Sequence, residues 1–167
     1  DNGQYLYSGD RTGARYYNVM QLYDAQDNFR SGRFSPGFWK FTAFQVNPFV
    51  KWKGLEFFGI YELVNGDQSK TAIGGSYTQM GAELLYRIGE KEKFVGGRYN
   101  LVSGKDTSGA ATKSVDRLNI GGGWFLTENV MVKAEYVNQS YSGDGWLGSV
   151  YQGGRFNGAV IEAAISF

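Results

Sequence analysis

The sequence contains no cysteine and no histidine. Disulfides, thiolate or imidazole metal sites, and catalysis by cysteine or histidine are thereby excluded. No run of roughly 18 apolar residues occurs, so no transmembrane helix is expected. Proline is scarce at 2 residues, which removes the commonest interruption of a strand. A formal net charge of +1 supplies no general attraction to nucleic acid or acidic lipid. The low mean hydropathy of -0.37 does not argue against a membrane, because a barrel strand alternates apolar and polar residues and averages out in any window. No secretory leader opens the sequence and residue 1 is Asp, so a processed or truncated chain is expected.

What the sequence does contain is glycine, at 25 residues, and aromatics, at 17%. Tyrosine, phenylalanine and valine with frequent glycine favour strands joined by tight turns. Seven strand-like runs follow one another over 41–52, 55–64, 77–88, 94–103, 115–127, 130–142 and 156–167. Each approaches or exceeds the roughly 9–11 residues that a tilted membrane strand needs, where soluble strands average about 5–6. Their connections alternate in length. Lys53-Gly54, Glu90 to Lys93 and Glu128-Asn129 are short, whereas Asn65 to Ser76, Ser103 to Ser114 and Ser142 to Arg155 are long. Outer-membrane barrels place short turns in the periplasm and long loops outside. On that parity the last strand ends in the periplasm. Residues 1–40 are ambiguous between a large loop and one or two strands (Gln4 to Tyr7, Ala14 to Leu22), and Asp24 to Gly37 reads as loop.

Period-2 patterning divides each run into an apolar and a polar side. Ile165, Ala163, Ile161 and Ala159 share one face of the last run, opposite Ser166, Ala164, Glu162 and Gly158. The other runs follow suit, and the reading places their charges on the inner face. Lys51, Arg87, Arg98, Arg117 and Lys133 are the basic members; Glu56, Glu62, Glu83, Glu135 and Glu162 are the acidic ones. These ten are the candidate lumen-lining residues. They would either screen ions in a water-filled pore or pair across neighbouring strands in a filled lumen. Five of each sign predicts no strong ion selectivity. Trp52, Tyr86, Trp124 and Phe167 lie near the short-turn end of the apolar face, as an aromatic girdle would, with Tyr61, Tyr99 and Tyr136 higher up. A soluble barrel with an apolar interior would bury that same face instead.

The remaining motifs have modest readings. Gly121-Gly122-Gly123 lacks the helix of a phosphate loop and is expected to permit bending or close packing. Asp24, Asp27 and Asn28 offer either a loop calcium site or an Asx-turn. Asn138-Gln139-Ser140 matches a glycosylation sequon, which means little in a bacterial barrel. Trp39, Trp146 and Tyr151 suit loop packing or contact with a partner. Glu56 and Glu62 are two positions on one side of one run, so no catalysis is expected, and neither a metal nor a cofactor.

The last run resembles the terminal strand of outer-membrane proteins in general, which ends in Phe after alternating apolar residues. That resemblance implies recognition of Phe167 by the barrel-assembly machinery. Val115 to Ser142, with Gly122-Gly123-Trp124-Phe125, Asn129 and Tyr136-Val137, resembles the penultimate hairpin of the phosphate-selective porin family; Phe94 to Val102, with Gly97-Arg98-Tyr99, is similar to the strand before it. Together with the last run, the resemblance covers roughly residues 77–167. It implies an all-β, transmembrane antiparallel up-and-down β-barrel of sixteen or eighteen strands, often a homotrimer, passing small solutes or ions across a bacterial outer membrane. This chain would be its C-terminal part. In that family selectivity rests on basic residues of a constriction loop and lumen ladder; no such loop is evident, so a general solute porin is expected. The alternative is a complete eight-stranded barrel with a structural, adhesive or partner-binding role.

Overall fold

A computed structural model describes residues 37–89 and 92–166. Eight strands occur in chain order: β1 (Lys40–Val46), β2 (Phe49–Trp52), β3 (Leu55–Asp67), β4 (Gly75–Ile88), β5 (Lys93–Lys105), β6 (Lys113–Thr127), β7 (Val130–Ser142) and β8 (Arg155–Ile165). One short 3-10 turn, Asp144–Trp146, lies in the connection before β8. The strands form a single antiparallel up-and-down sheet in the order β1-β3-β4-β5-β6-β7-β8, with β2 also on β3. The sheet is not closed: among the described residues β1 and β2 line one edge and β8 the other.

The run expected over 41–52 is divided. Pro48 has no N–H to give to the ladder, so β1 and β2 are separated at Asn47-Pro48. Their register is nonetheless continuous, since Val46 faces Tyr61 and Phe49 faces Phe58. An edge strand is where such a proline is tolerated. Gly59, opposite the break, donates its N–H to the Pro48 carbonyl at 2.8 Å. A Cβ on Gly59 would stand 2.8 Å from the proline ring, so the interruption and the glycine fit as a pair.

Long strands are the second difference. β3 and β4 continue pairing to Gly66 and Gly75, and β5 and β6 to Gly104 and Lys113. The longer connections are therefore 68–74, 106–112 and 143–154, tighter than the polar stretches suggested. Polarity marks where a strand leaves an apolar environment; backbone pairing runs further. The alternation itself persists, with short turns at 53–54, 89–92 and 128–129. Gly54 and Gly89 take positive φ, at 85° and 66°, as such turns require. A register shift between Phe125 and Thr127 marks a bulge just before the last short turn.

Strict alternation separates the two faces. Exposed large apolar side chains cluster on one: Phe44, Val50, Trp52, Leu84, Ile120 and Ile161 are examples, one or more from five strands. The opposite face buries its side chains although no second layer covers it among the described residues. Val102 and Val115 are fully buried there, and Arg117 is 2% exposed. Side chains on this face cover one another and, toward the long loops, are covered by loop residues, as on the concave side of a curled sheet.

The concave face is not uniformly charged. Toward the long-loop end it carries an apolar cluster of Val64, Tyr77, Val102, Val115 and Tyr141, covered by Phe38 and Trp146. These residues share the phase of the charges but lie beyond them along the strands. Six strand charges lie in the phase of the apolar face: Lys40, Asp67, Lys93, Lys105, Asp116 and Arg155. Asp116 pairs with Leu101 and Ser140 on the apolar side, and Lys93 opens β5 there opposite Trp124. Asp116 sits above the apolar belt, among Ser103, Ser114 and Ser140, and Lys93 lies at its lower margin. Both therefore border the belt rather than enter it.

Candidate functional site

The concave face is built by register. Each of the ten ionisable residues singled out from the sequence falls on it, because every antiparallel pairing sets in-phase residues opposite one another. They form several local clusters. Near the short-turn end Glu56 receives Lys51 Nζ at 2.8 Å from β2 and Arg87 Nε at 2.8 Å from β4. The second Arg87 contact, from Nη2 to Oε2, is 3.4 Å. One carboxylate thus ties three strands.

Further around the sheet, Arg98 on β5 lies 3.7 Å from Glu83 on β4. Lys133 on β7 stands between Glu135 on its own strand, at 3.5 Å, and Glu162 on β8, at 3.3 Å. Asn119 Nδ2 donates to Glu135 Oε1 from β6. Higher on the face, Arg117 donates through Nε to Gln139 Oε1 at 2.5 Å, and Gln139 Nε2 donates to the Tyr141 hydroxyl at 2.6 Å. Glu62 is buried beside Gln79, its register partner on β4. Among the described residues, charge on the face is therefore largely paired locally, between neighbouring strands.

Between these clusters the face opens into a recess of about 370 Å³. Its floor is glycine. Gly96 on β5 faces Gly121 on β6 in direct register, and neither offers a side chain. A Cβ at Gly121 would lie 2.5 Å from the Ala134 carbonyl oxygen; one at Gly96 would lie 2.7 Å from that of Leu84. The neighbouring backbones approach that closely, so close packing, one of the two roles expected of the glycine triplet, accounts for Gly121. Gly123 serves the Phe94 ring, which a Cβ there would strike at 2.4 Å. Phe94 packs in turn against Phe125 at a tilt of 51°, with ring centroids 6.1 Å apart.

Three side-chain atoms among the described residues are buried with no hydrogen-bond partner: Arg98 Nε, Asn100 Nδ2 and Asn119 Oδ1. All lie on the concave face of β5 and β6. Buried polar atoms are ordinarily satisfied by protein or by water, so their concentration here is a local property of the face. Sequence patterning turns Arg98, Asn100 and Asn119 to the inner side but singles out only Arg98, through its charge; Asn119 gains its place once register sets it beside the glycine floor.

The long-loop end is closed by a latch. Asp106 accepts from the Tyr77 hydroxyl at 2.5 Å and from Lys113 Nζ. Lys113 in turn lies 5.0 Å from the centre of the Trp146 ring. Trp146 donates Nε1 to the Ser114 carbonyl at 3.0 Å and meets Tyr141 edge-on at 5.5 Å. Loop packing is thus what Trp146 and Tyr151 do, whereas Trp39 is partly exposed at the start of the described chain.

On the apolar face, Trp52, Tyr86 and Trp124 are exposed toward the short-turn end, as expected, and Phe167 lies outside the described residues. Lys53 Nζ sits 5.0 Å above the Trp52 ring and Lys93 Nζ 4.8 Å above that of Trp124. Tyr61, Tyr99 and Tyr136 are exposed on the same face nearer the long loops. The calcium-site alternative at Asp24, Asp27 and Asn28 lies outside the described residues. Among those described, no group of acidic side chains is arranged to hold a metal. Compared with protein-family models, curated proteins and solved structures, the chain matches none.

Proposed function

We infer that the chain forms the wall of a transmembrane β-barrel in a bacterial outer membrane and that this barrel passes small hydrophilic solutes or ions by diffusion. The observation carrying this reading is the exposed apolar face, bounded by aromatics at both ends. In β4 the belt runs from Met80 to Ile88 with an exposed apolar side chain at every second position. Nine residues at about 3.3 Å each, tilted about 45°, span on the order of 20 Å, near the roughly 25 Å band of such barrels. A soluble protein rarely leaves so large a contiguous apolar surface in water. Lipid is the solvent that rewards it, and the lysines stacked on Trp52 and Trp124 suit a headgroup boundary. The unpaired edges at β1–β2 and β8 would be closed by further strands, because an open edge is not tolerated in a hydrocarbon core.

The phosphate-selective porin family supplies the nearest functional analogy, by resemblance of residues 77–167. Local neutralisation of the inner charges favours a general solute pore over an anion pore. A trimeric assembly and recognition of Phe167 by the assembly machinery belong to the same reading.

A filled eight-stranded barrel is the second reading, favoured by the apolar cluster that Phe38 and Trp146 complete on the concave face. A barrel of that size is packed with side chains and conducts little. Conductance in a planar bilayer separates the two. Stepwise current from the purified full-length protein is the porin outcome. Stable insertion without current would remove the porin reading and leave the filled barrel. Failure to insert at all would remove both.

A further inference from the structure

The geometry points to the glycine-floored recess of β5 and β6 as a binding site for a neutral polyhydroxylated solute, of the sugar class. As a station on a diffusion path the site rests on the channel reading; as a binding site it requires no conduction.

The first ground is shape. Gly96 and Gly121 remove side chains from the centre of an otherwise crowded concave face and leave an open volume of about 370 Å³. That lies at the small end of the roughly 300–1,000 Å³ typical of small-molecule sites.

The second ground is unsatisfied hydrogen bonding. Arg98 and Asn119 are directly opposite one another on β5 and β6. Arg98 Nε is a donor with no acceptor, and Asn119 Oδ1 an acceptor with no donor. Asn119 is 4% exposed, and its amide nitrogen is already committed to Glu135. A hydroxyl group accepts and donates at once. Vicinal hydroxyls can serve an adjacent donor and acceptor without displacing either of their existing partners.

Charge argues against ions. Glu83 and Glu135 balance Arg98 and Lys133 around the recess and already engage them. With no net charge on the lining, an anion gains no excess of positive charge there. A cation would meet the unpartnered guanidinium N–H of Arg98. Neither suits the two free atoms, whereas a neutral ligand leaves the ion pairs intact. The aromatic wall supplies the remaining element. Phe94, packed against Gly123, offers an apolar surface at one side of the recess for the C–H face of a sugar ring.

The test uses the full chain folded in detergent micelles, with glucose as the probe and inorganic phosphate as the comparison. The readout is the backbone amide resonances of Gly96, Asn119 and Gly121. Glucose is expected to move them saturably in the millimolar range, and phosphate is not. Asn119→Leu should weaken glucose binding about tenfold, the equivalent of roughly 1.4 kcal/mol for one lost hydrogen bond. Should that variant not fold, the wild-type titration decides alone. Resonances unmoved by glucose, or moved by phosphate and not by glucose, overturn the site. Conductance is recorded separately. Glucose binding without current keeps the site and removes the channel, and current without glucose binding does the reverse.

Discussion

Arg87 Nε lies 2.8 Å from Glu56 Oε1, and Lys51 Nζ reaches that same oxygen at 2.8 Å. Two cations on two strands therefore share one carboxylate near the short-turn end of the concave face. Glu56→Gln would remove the negative partner and leave both positive charges uncompensated. In a channel this should shift the reversal potential measured in a salt gradient toward the anion side, because fixed charge at a pore wall selects its counter-ion. A reversal potential unchanged from wild type would mean that these charges lie off the conducting path.

Leu84, 51% exposed, is the centre of the exposed row on β4. Arg placed there should cost about 2–4 kcal/mol of folding stability in lipid vesicles, the usual penalty at mid-bilayer. Asp116 lies in the polar margin, so Asp116→Asn should change stability by less than about 1 kcal/mol. Denaturant titration in vesicles checks both. Equal, small effects at the two positions would contradict a membrane placement of this face.

The two faces were legible in the sequence because strand alternation has a period of two and the exposed positions obey it from Met80 to Ile88 and from Leu118 to Leu126. All ten ionisable positions assigned to one face occupy it for the same reason. Strand ends were not legible. Asn65-Gly66-Asp67 and Ser103-Gly104-Lys105 have turn composition, yet they are paired, since backbone hydrogen bonds do not depend on side-chain polarity. Asp116 is an exception to the expectation that strand charges face inward: the alternation that turns Arg117 inward turns Asp116 outward, where it lies opposite Leu101 at the edge of the belt. Val102, Val115 and Tyr141 carry the opposite lesson: apolar residues in the charged phase are filled in by loop side chains that no local pattern links to them. Their covering residues, Phe38 and Trp146, are remote in sequence and come together only in the fold.

Trp146, 8% exposed, holds the 143–154 connection against the face through Tyr141, Lys113 and the Ser114 carbonyl. Trp146→Ala should cost about 3–5 kcal/mol if the ring behaves as a core aromatic. The loss should appear first as protease cleavage within 143–154, before any change in strand content by circular dichroism. Resistance equal to wild type would show that the loop is secured elsewhere.

Gly121 and Gly97 offer a paired test of why this sheet uses glycine. A Cβ at Gly121 would lie 2.5 Å from the Ala134 carbonyl oxygen and 2.9 Å from the Glu135 Cα, both backbone atoms of β7 that cannot turn aside. Gly121→Ala should therefore force the strands apart and cost about 1–3 kcal/mol, as overpacking does. At Gly97, on the apolar face, the nearest atom would be the Asn119 carbonyl oxygen at 3.4 Å, an ordinary contact. Gly97→Ala should be neutral or gain roughly 0.5 kcal/mol by restricting the unfolded chain. Unfolding midpoints of the two variants, measured side by side, separate close approach from mere conformational freedom. If both lose stability equally, flexibility rather than strand proximity explains the glycines; if only Gly121→Ala does, the floor of the recess is fixed by the neighbouring backbone.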